Sequence, residues 1–248
     1  MSTNKSALME ARIKNNKDLV ISIKEYTRYQ PTSEDIKKEN YEAFLVNAES
    51  AMTELKNTIG LLSTEKKHCS DLFDKLINTA RYIRSETGEL KGTDSNEYEQ
   101  VNSIVKLITG ENVTLHSAKK MKMKKEKNMD PGEGEEAKSG SSVSQQDRKS
   151  MLGNFRLLLG LLRSYTFYDP ADETLKLPAL ETFETELTAS LEKVAEKETA
   201  YINKKSRIIE YFNDKGGLRD RARRAKMHVK RKYGTNSPEY KALVNRKY

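Results

Sequence analysis

Apolar residues along this chain recur at helical intervals and almost never alternate. Ile13, Val20, Ile23 and Tyr26 mark one face near the start, and Leu152, Leu159, Leu162 and Tyr165 mark a similar face in the second half. Spacings of three, four and seven define the inward stripe of an amphipathic α-helix. A longer stripe follows each, stepping by sevens. It reads Tyr41, Ala48, Leu55, Leu62, Cys69 and Leu76 in the first half, and Leu180, Leu187, Val194, Tyr201 and Ile208 in the second. Companion positions are Phe44, Met52, Ile59 and Phe73 against Phe183, Leu191 and Phe212. A sustained seven-residue pattern predicts long helices packed at a shallow angle. A third stripe closes each half, Leu76, Ala80, Ile83 and Thr87 against Leu218, Ala222, Ala225 and Val229. The predicted fold class is all-α.

The halves also agree residue by residue. Tyr26, Thr27, Tyr29, Pro31, Glu34, Lys37, Glu42 and Phe44 recur 139 positions later as Tyr165, Thr166, Tyr168, Pro170, Glu173, Lys176, Glu181 and Phe183. Gly92, Thr93, Ser95, Glu97 and Tyr98 recur 142 positions later as Gly234, Thr235, Ser237, Glu239 and Tyr240. The second copy has therefore gained three residues between these blocks. The segment NDKGG at 213–217 is the place, and it predicts a turn between two helices. In each copy YTxYxP ends the first helix, because proline disfavours α conformation in the residue before it and cannot extend the hydrogen-bond ladder. Pro178 suits the first turn of the next helix. GTxSxEY offers Ser95 or Ser237 as the N-cap of a short final helix. Together these signals predict two tandem antiparallel helical-bundle repeats, at 1–117 and 151–248, with long heptad-patterned central helices. Between them, 118–150 loses periodicity. Six lysines crowd 119–127, Pro131, Gly132 and Gly134 follow, and then a Ser-rich run, so a mobile basic linker is predicted.

A YTxYxP turn paired with a GTxSxEY tail, twice in one chain, resembles Bacteroidetes-type duplicated helical proteins. The resemblance covers both copies but not the linker. It implies the helical fold and brings no activity with it, since its motifs are turns and caps rather than reacting groups. Asn96 stands where the second tail has Pro238, a departure that touches only the shape of that turn.

Composition agrees with long amphipathic helices: charged residues make up 33%, hydrophobic ones 35%, and tryptophan is absent. No apolar run suits a signal peptide or a membrane span; the run 151–162 contains Arg156 and is too short. A soluble cytoplasmic protein without membrane insertion is the expectation. One cysteine, Cys69, cannot form an internal disulfide and fits a reducing compartment. Its place on the seven-residue stripe, matching Ile208, predicts a buried core thiol rather than a nucleophile.

Candidate chemistry is sparse. A di-iron bundle needs two Glu-x-x-His motifs, and only Glu65 with His68 has that spacing; Lys204 and Arg207 stand at the matching positions, so no metal site is predicted. Tyr26, Tyr29, Tyr165 and Tyr168 could outline a ligand cage, but their place beside a proline at a helix end favours packing of the turn. Phosphate loops, Gly-x-Ser-x-Gly and CxxC are all missing. No catalytic residue and no cofactor follow, and the expectation is a non-enzyme.

Charge distribution supplies the one candidate surface. The net charge is +8, yet 214–248 alone holds twelve Lys and Arg against three acidic residues, a local +9. Arg219, Arg221, Arg223, Arg224, Lys226, Lys230, Arg231 and Lys232 flank the narrow apolar stripe of that helix. The matching helix of the first copy balances Arg81 and Arg84 with Glu86 and Glu89, so the fold is not expected to need the excess charge. Such a helix suits phosphate backbones through counterion release, an acidic protein, or anionic lipid. It is equally suited to plain solvation, or to pairing with the acidic stretches 181–186 and 192–198. The expected function is a non-catalytic scaffold or protein-interaction module. Sequence-nonspecific nucleic-acid binding through the basic helix is the alternative.

Overall fold

A computed structural model describes residues 3–111, 143–213 and 215–244, with side chains over 7–111, 148–212 and 215–244. Among the described residues the chain is all-α, with no strand. The helices are α1 (Thr3–Glu25), α2 (Lys38–Lys91), α3 (Asn96–Thr109), α4 (Val143–Ser164), α5 (Leu177–Asn213), α6 (Leu218–Tyr233) and α7 (Pro238–Val244). Single 3-10 turns, Glu34–Ile36 and Glu173–Leu175, precede α2 and α5.

The seven-residue stripe lies inside. Tyr41, Ala48, Leu55, Cys69 and Leu76 are wholly buried, as are Leu187 and Ile208, while Tyr201 is only half-buried. Every position of the third stripe is buried in both copies. Cys69 is a free, buried thiol. The predicted caps form: Ser95 Oγ accepts from the Tyr98 N–H at 3.2 Å, and Ser237 Oγ from the Tyr240 N–H at 3.1 Å. Gly92 and Gly234 precede them with φ of 87° and 90°, a left-handed conformation that favours glycine and stops the helix before it.

Two expectations need correction. Of the predicted linker 118–150, residues 118–142 lie outside the described residues, but 143–150 opens helix α4. That stretch contains no Pro or Gly, and Arg148 gives it a seat, with its guanidinium 5.9 Å from the Phe73 ring centroid and 3.8 Å from Cys69 Sγ. The second difference lies at the inserted turn. In the second copy α5 stops at Asn213 and α6 begins at Leu218, with Gly216 at φ 88° and its N–H donated to Asp220 Oδ2 at 3.1 Å. The first copy has no such turn: α2 runs unbroken for 54 residues.

That continuity bears on how the core is built. The chain forms two compact units, one of Met1–Thr64 with Glu196–Tyr248, the other of Glu65–Ala195. The segments 1–117 and 151–248 therefore do not each close a unit of their own. A helix as long as α2 cannot fold back on its own first half. The first unit buries Leu19, Ile23 and Leu55 of the first copy with Phe212, Ala225 and Val229 of the second. The second unit buries Phe73, Leu76 and Val105 of the first copy with Phe155, Leu162 and Leu187 of the second.

The turn motifs are exchanged in the same way. In the first unit the Tyr26 hydroxyl donates to the Glu239 carbonyl at 3.1 Å, so one copy's YTxYxP turn sits on the other's GTxSxEY tail. In the second unit the Tyr165 hydroxyl donates to Gln100 Oε1 at 2.8 Å, just past the opposite tail. Within each turn the second tyrosine is buried and closes a local ring. Tyr29 donates to the Ile36 carbonyl at 2.8 Å and Tyr168 to the Leu175 carbonyl at 3.1 Å. Burial holds both phenols protonated well above the usual tyrosine range. These tyrosines pack the turn, as their position beside proline suggests.

Candidate functional site

Helix α6 carries the predicted basic surface, and its eight cations divide into two groups. Arg221 and Arg224 belong to the fold. Arg221 stacks over the Phe44 ring with its guanidinium carbon 3.9 Å from the centroid, donates Nε to the Gly216 carbonyl at 2.7 Å, and donates to the Asp35 carbonyl. Arg224 pairs with Asp35 Oδ2 at 2.6 Å and Asp220 Oδ2 at 3.0 Å, and donates to Ser33 Oγ at 3.0 Å. The Arg224 hydrogen bond holds the Asp35 carboxyl below the usual aspartate range. The expectation that the fold does not need this charge is thus corrected at two positions. α6 packs against the 3-10 turn of the other copy, and the turn's carbonyl and carboxylate require cationic partners.

The other six face outward or sideways. Arg219, Arg223, Lys230, Arg231 and Lys232 are exposed, and Lys226 reaches the Val244 carbonyl at 3.4 Å. Arg223 contacts Asp220 at 3.2 Å, and the Lys230 ammonium lies 5.9 Å from the Tyr240 ring centroid. The acidic stretch 181–186 serves other partners, Glu181 pairing with Arg163 at 2.8 Å and Glu184 with Arg156 at 2.6 Å.

This division gives a direct prediction. Arg224→Gln should lower stability by about 1–3 kcal/mol, since it strips a charged hydrogen-bond partner from Asp35 in a half-buried setting. Arg223→Gln, at an exposed pair, should stay within about 0.5 kcal/mol. Urea unfolding of the two variants tests this, and equal effects would show that Arg224 does not brace the turn.

His228, which has no Glu three residues before it and so belongs to no Glu-x-x-His motif, is 6% exposed. Its ring makes an edge contact with Tyr29 at 5.1 Å between centroids, and Arg231 Nη2 lies 3.3 Å from Nδ1. A guanidinium only donates, so Nδ1 accepts and the neutral ring carries its proton on Nε2. That Nε2 is buried with no hydrogen-bond partner. Beside it opens a hollow of about 210 Å³ lined by Thr32, Ser33, Arg224, His228 and Arg231. Burial, with help from Arg231 and Lys232, pushes the His228 pKa down. In the unfolded chain it returns to ~6.5. The neutral form is thus favoured by folding, so its stabilisation is complete above ~6.5 and fades as pH falls from there toward the folded value. His228→Gln should flatten stability across that window. NMR titration should place its midpoint below the ~6.5 of an unperturbed imidazole.

The second unit holds a larger opening. A groove of about 700 Å³ runs between α2 and the start of α5. One wall is the α2 face bearing Asp71, Asp74, Asn78 and Tyr82, at helical spacing. The other bears Leu175, Ala179, Phe183 and Glu186. In register, Thr79 and Tyr82 match Arg221 and Arg224, while Thr174 and Phe183 match Asp35 and Phe44. In the first unit the space over the aromatic ring is filled by Arg221, with Arg224 bridging to Asp35 alongside. In the second unit those two arginines are absent and the groove stands open, with Tyr82 64% exposed. The signal was present in the repeat alignment, as two arginines facing a threonine and a tyrosine.

Among the described residues no group of three metal-ligating side chains gathers, and no helix is long and apolar enough to cross a membrane. No family model, curated protein or solved structure matches the chain.

Proposed function

We propose that the chain is a non-catalytic, cytoplasmic protein-interaction module, built from two diverged antiparallel helical-bundle repeats of the Bacteroidetes type noted above that have exchanged their second halves. One observation carries the reading. The groove between α2 and α5 keeps about 700 Å³, with Lys75 reaching over Phe183, where its counterpart in the other unit is filled by Arg221 over Phe44 and Arg224 on Asp35. Grooves between helices with an apolar floor and a polar rim suit a partner segment. Glu186→Lys with Asp74→Lys reverses the rim at exposed positions without touching the core. Proteins retained from a cell extract by the native chain and lost by this variant would support the reading. Identical retained sets would overturn it.

A second reading, phosphate-backbone binding by α6, draws on the exposed Arg219, Arg223, Lys230 and Lys232 and on the hollow beside His228. Because Arg221 and Arg224 are bound into the fold, fewer contacts are expected than the sequence offers. Four neutralised phosphates would give a slope of log affinity against log salt of roughly −3 to −4. Fluorescence anisotropy with a labelled duplex settles it, and no binding at about 50 mM salt removes it.

A further inference from the structure

We infer that the open groove of the second unit takes an arginine side chain of a partner protein, held over Phe183 and between carboxylates. The inference rests on the docking reading above and names the chemistry of the partner.

The first unit supplies the template. There the Arg221 guanidinium sits over Phe44 with its central carbon 3.9 Å from the ring centroid, and the neighbouring Arg224 pairs with Asp35. The second unit keeps the aromatic ring as Phe183 and loses both cations. Its rim instead has Asp71, Asp74 and Glu186, all exposed, and no ion pair among the described residues engages any of them. Against these three stands Lys75, whose ammonium lies 4.8 Å from the Phe183 centroid. Lys75 matches Gly217, so it has no counterpart in the first unit. A ring that attracts the chain's own ammonium, in a groove whose lining also bears three carboxylates, is complementary to a cation. Guanidinium fits better than ammonium, because its plane stacks on the ring while its edge donates to carboxylates in a fork. Lys75 is then a flexible occupant that an incoming arginine displaces.

The test uses the full chain and two blocked peptides, acetyl-Arg-Ala-Ala-Arg-amide and acetyl-Lys-Ala-Ala-Lys-amide, titrated to several millimolar while amide resonances of 71–82 and 174–186 are followed. The arginine peptide should shift these residues saturably and bind at least about five-fold tighter than the lysine peptide, following the difference between stacked forks and point charges. Lys75→Ala should tighten arginine binding several-fold. Thr79→Arg should abolish it, because it rebuilds the arrangement of Arg221 over Phe44, and it should also raise Tm, which separates a filled groove from a misfolded one. Equal affinities for the two peptides, or no groove-specific shift with the arginine peptide, would overturn the inference. The docking reading fails separately. It stands if a partner lost on rim reversal binds without using an arginine, and it falls if rim reversal loses no partner.

Discussion

Residues 1–111 and 143–248, produced as two separate chains, are expected to fold only in each other's presence, as a one-to-one complex with the helicity of the intact protein. The reason lies in the ownership of each core. The first unit needs α1 and the first part of α2 from one fragment, and the end of α5 with α6 and α7 from the other. Alone, 143–248 would carry the buried faces of Phe212, Ala225 and Val229 without Leu19, Ile23 and Leu55 to cover them. The same fragment would carry Phe155, Leu162 and Leu187 without Phe73, Leu76 and Val105. Each lost Leu, Ile, Val or Phe burial removes roughly 1.5–3 kcal/mol, against a net stability of only about 5–15 kcal/mol for an ordinary domain. Circular dichroism of each fragment and of the mixture, with size-exclusion chromatography of the mixture, measures this. A cooperative, monomeric melt from 143–248 alone would show that the second copy closes on itself and that the exchanged packing is wrong.

The helices, their buried faces and their caps were legible because each has a local cause. Period-seven apolar positions need burial wherever the partner comes from, and Ser95 caps its own helix three residues on. Partner choice was not legible. Leu76 and Leu218 occupy matching positions and are both fully buried, so nothing in the pattern says which first helix each will meet. The decisive feature, an unbroken α2, depends on the absence of three residues that the other copy possesses, and an absence is easily read as divergence. The basic helix was legible as charge but not as contact. Arg221 and Arg223 look alike in sequence, yet one stacks on Phe44 and the other faces solvent. The acceptors for Arg221 and Arg224 include a backbone carbonyl nearly two hundred residues away, which no local pattern announces.

Phe155→Ala should be among the most damaging single substitutions in the chain, costing about 3–5 kcal/mol. Phe155 is wholly buried on α4 and meets Phe183 at 6.0 Å between centroids with their planes at 70°, an edge contact that adds to simple burial. Its matching position in the first unit is Asn16, also wholly buried, and the same comparison sets Tyr41 against Leu180. There the core is polar by construction. Asn16 donates to the Arg12 carbonyl at 2.7 Å, and its Oδ1 accepts from the Tyr41 hydroxyl at 2.5 Å. Asn16→Ala removes that buried acceptor and should cost about 1–3 kcal/mol, the range for breaking a buried hydrogen bond. The pair Asn16→Phe and Tyr41→Leu would install the apolar arrangement of the second unit. Because the two residues touch, their effects should not add, and the double variant should be more stable than the sum of the singles by about 1 kcal/mol or more. Urea unfolding of the four species closes the cycle. A coupling near zero would mean that the Asn16–Tyr41 bond is incidental. A loss below about 1 kcal/mol for Phe155→Ala would place that ring outside the packed core, and with it the floor on which Phe183 and the open groove depend.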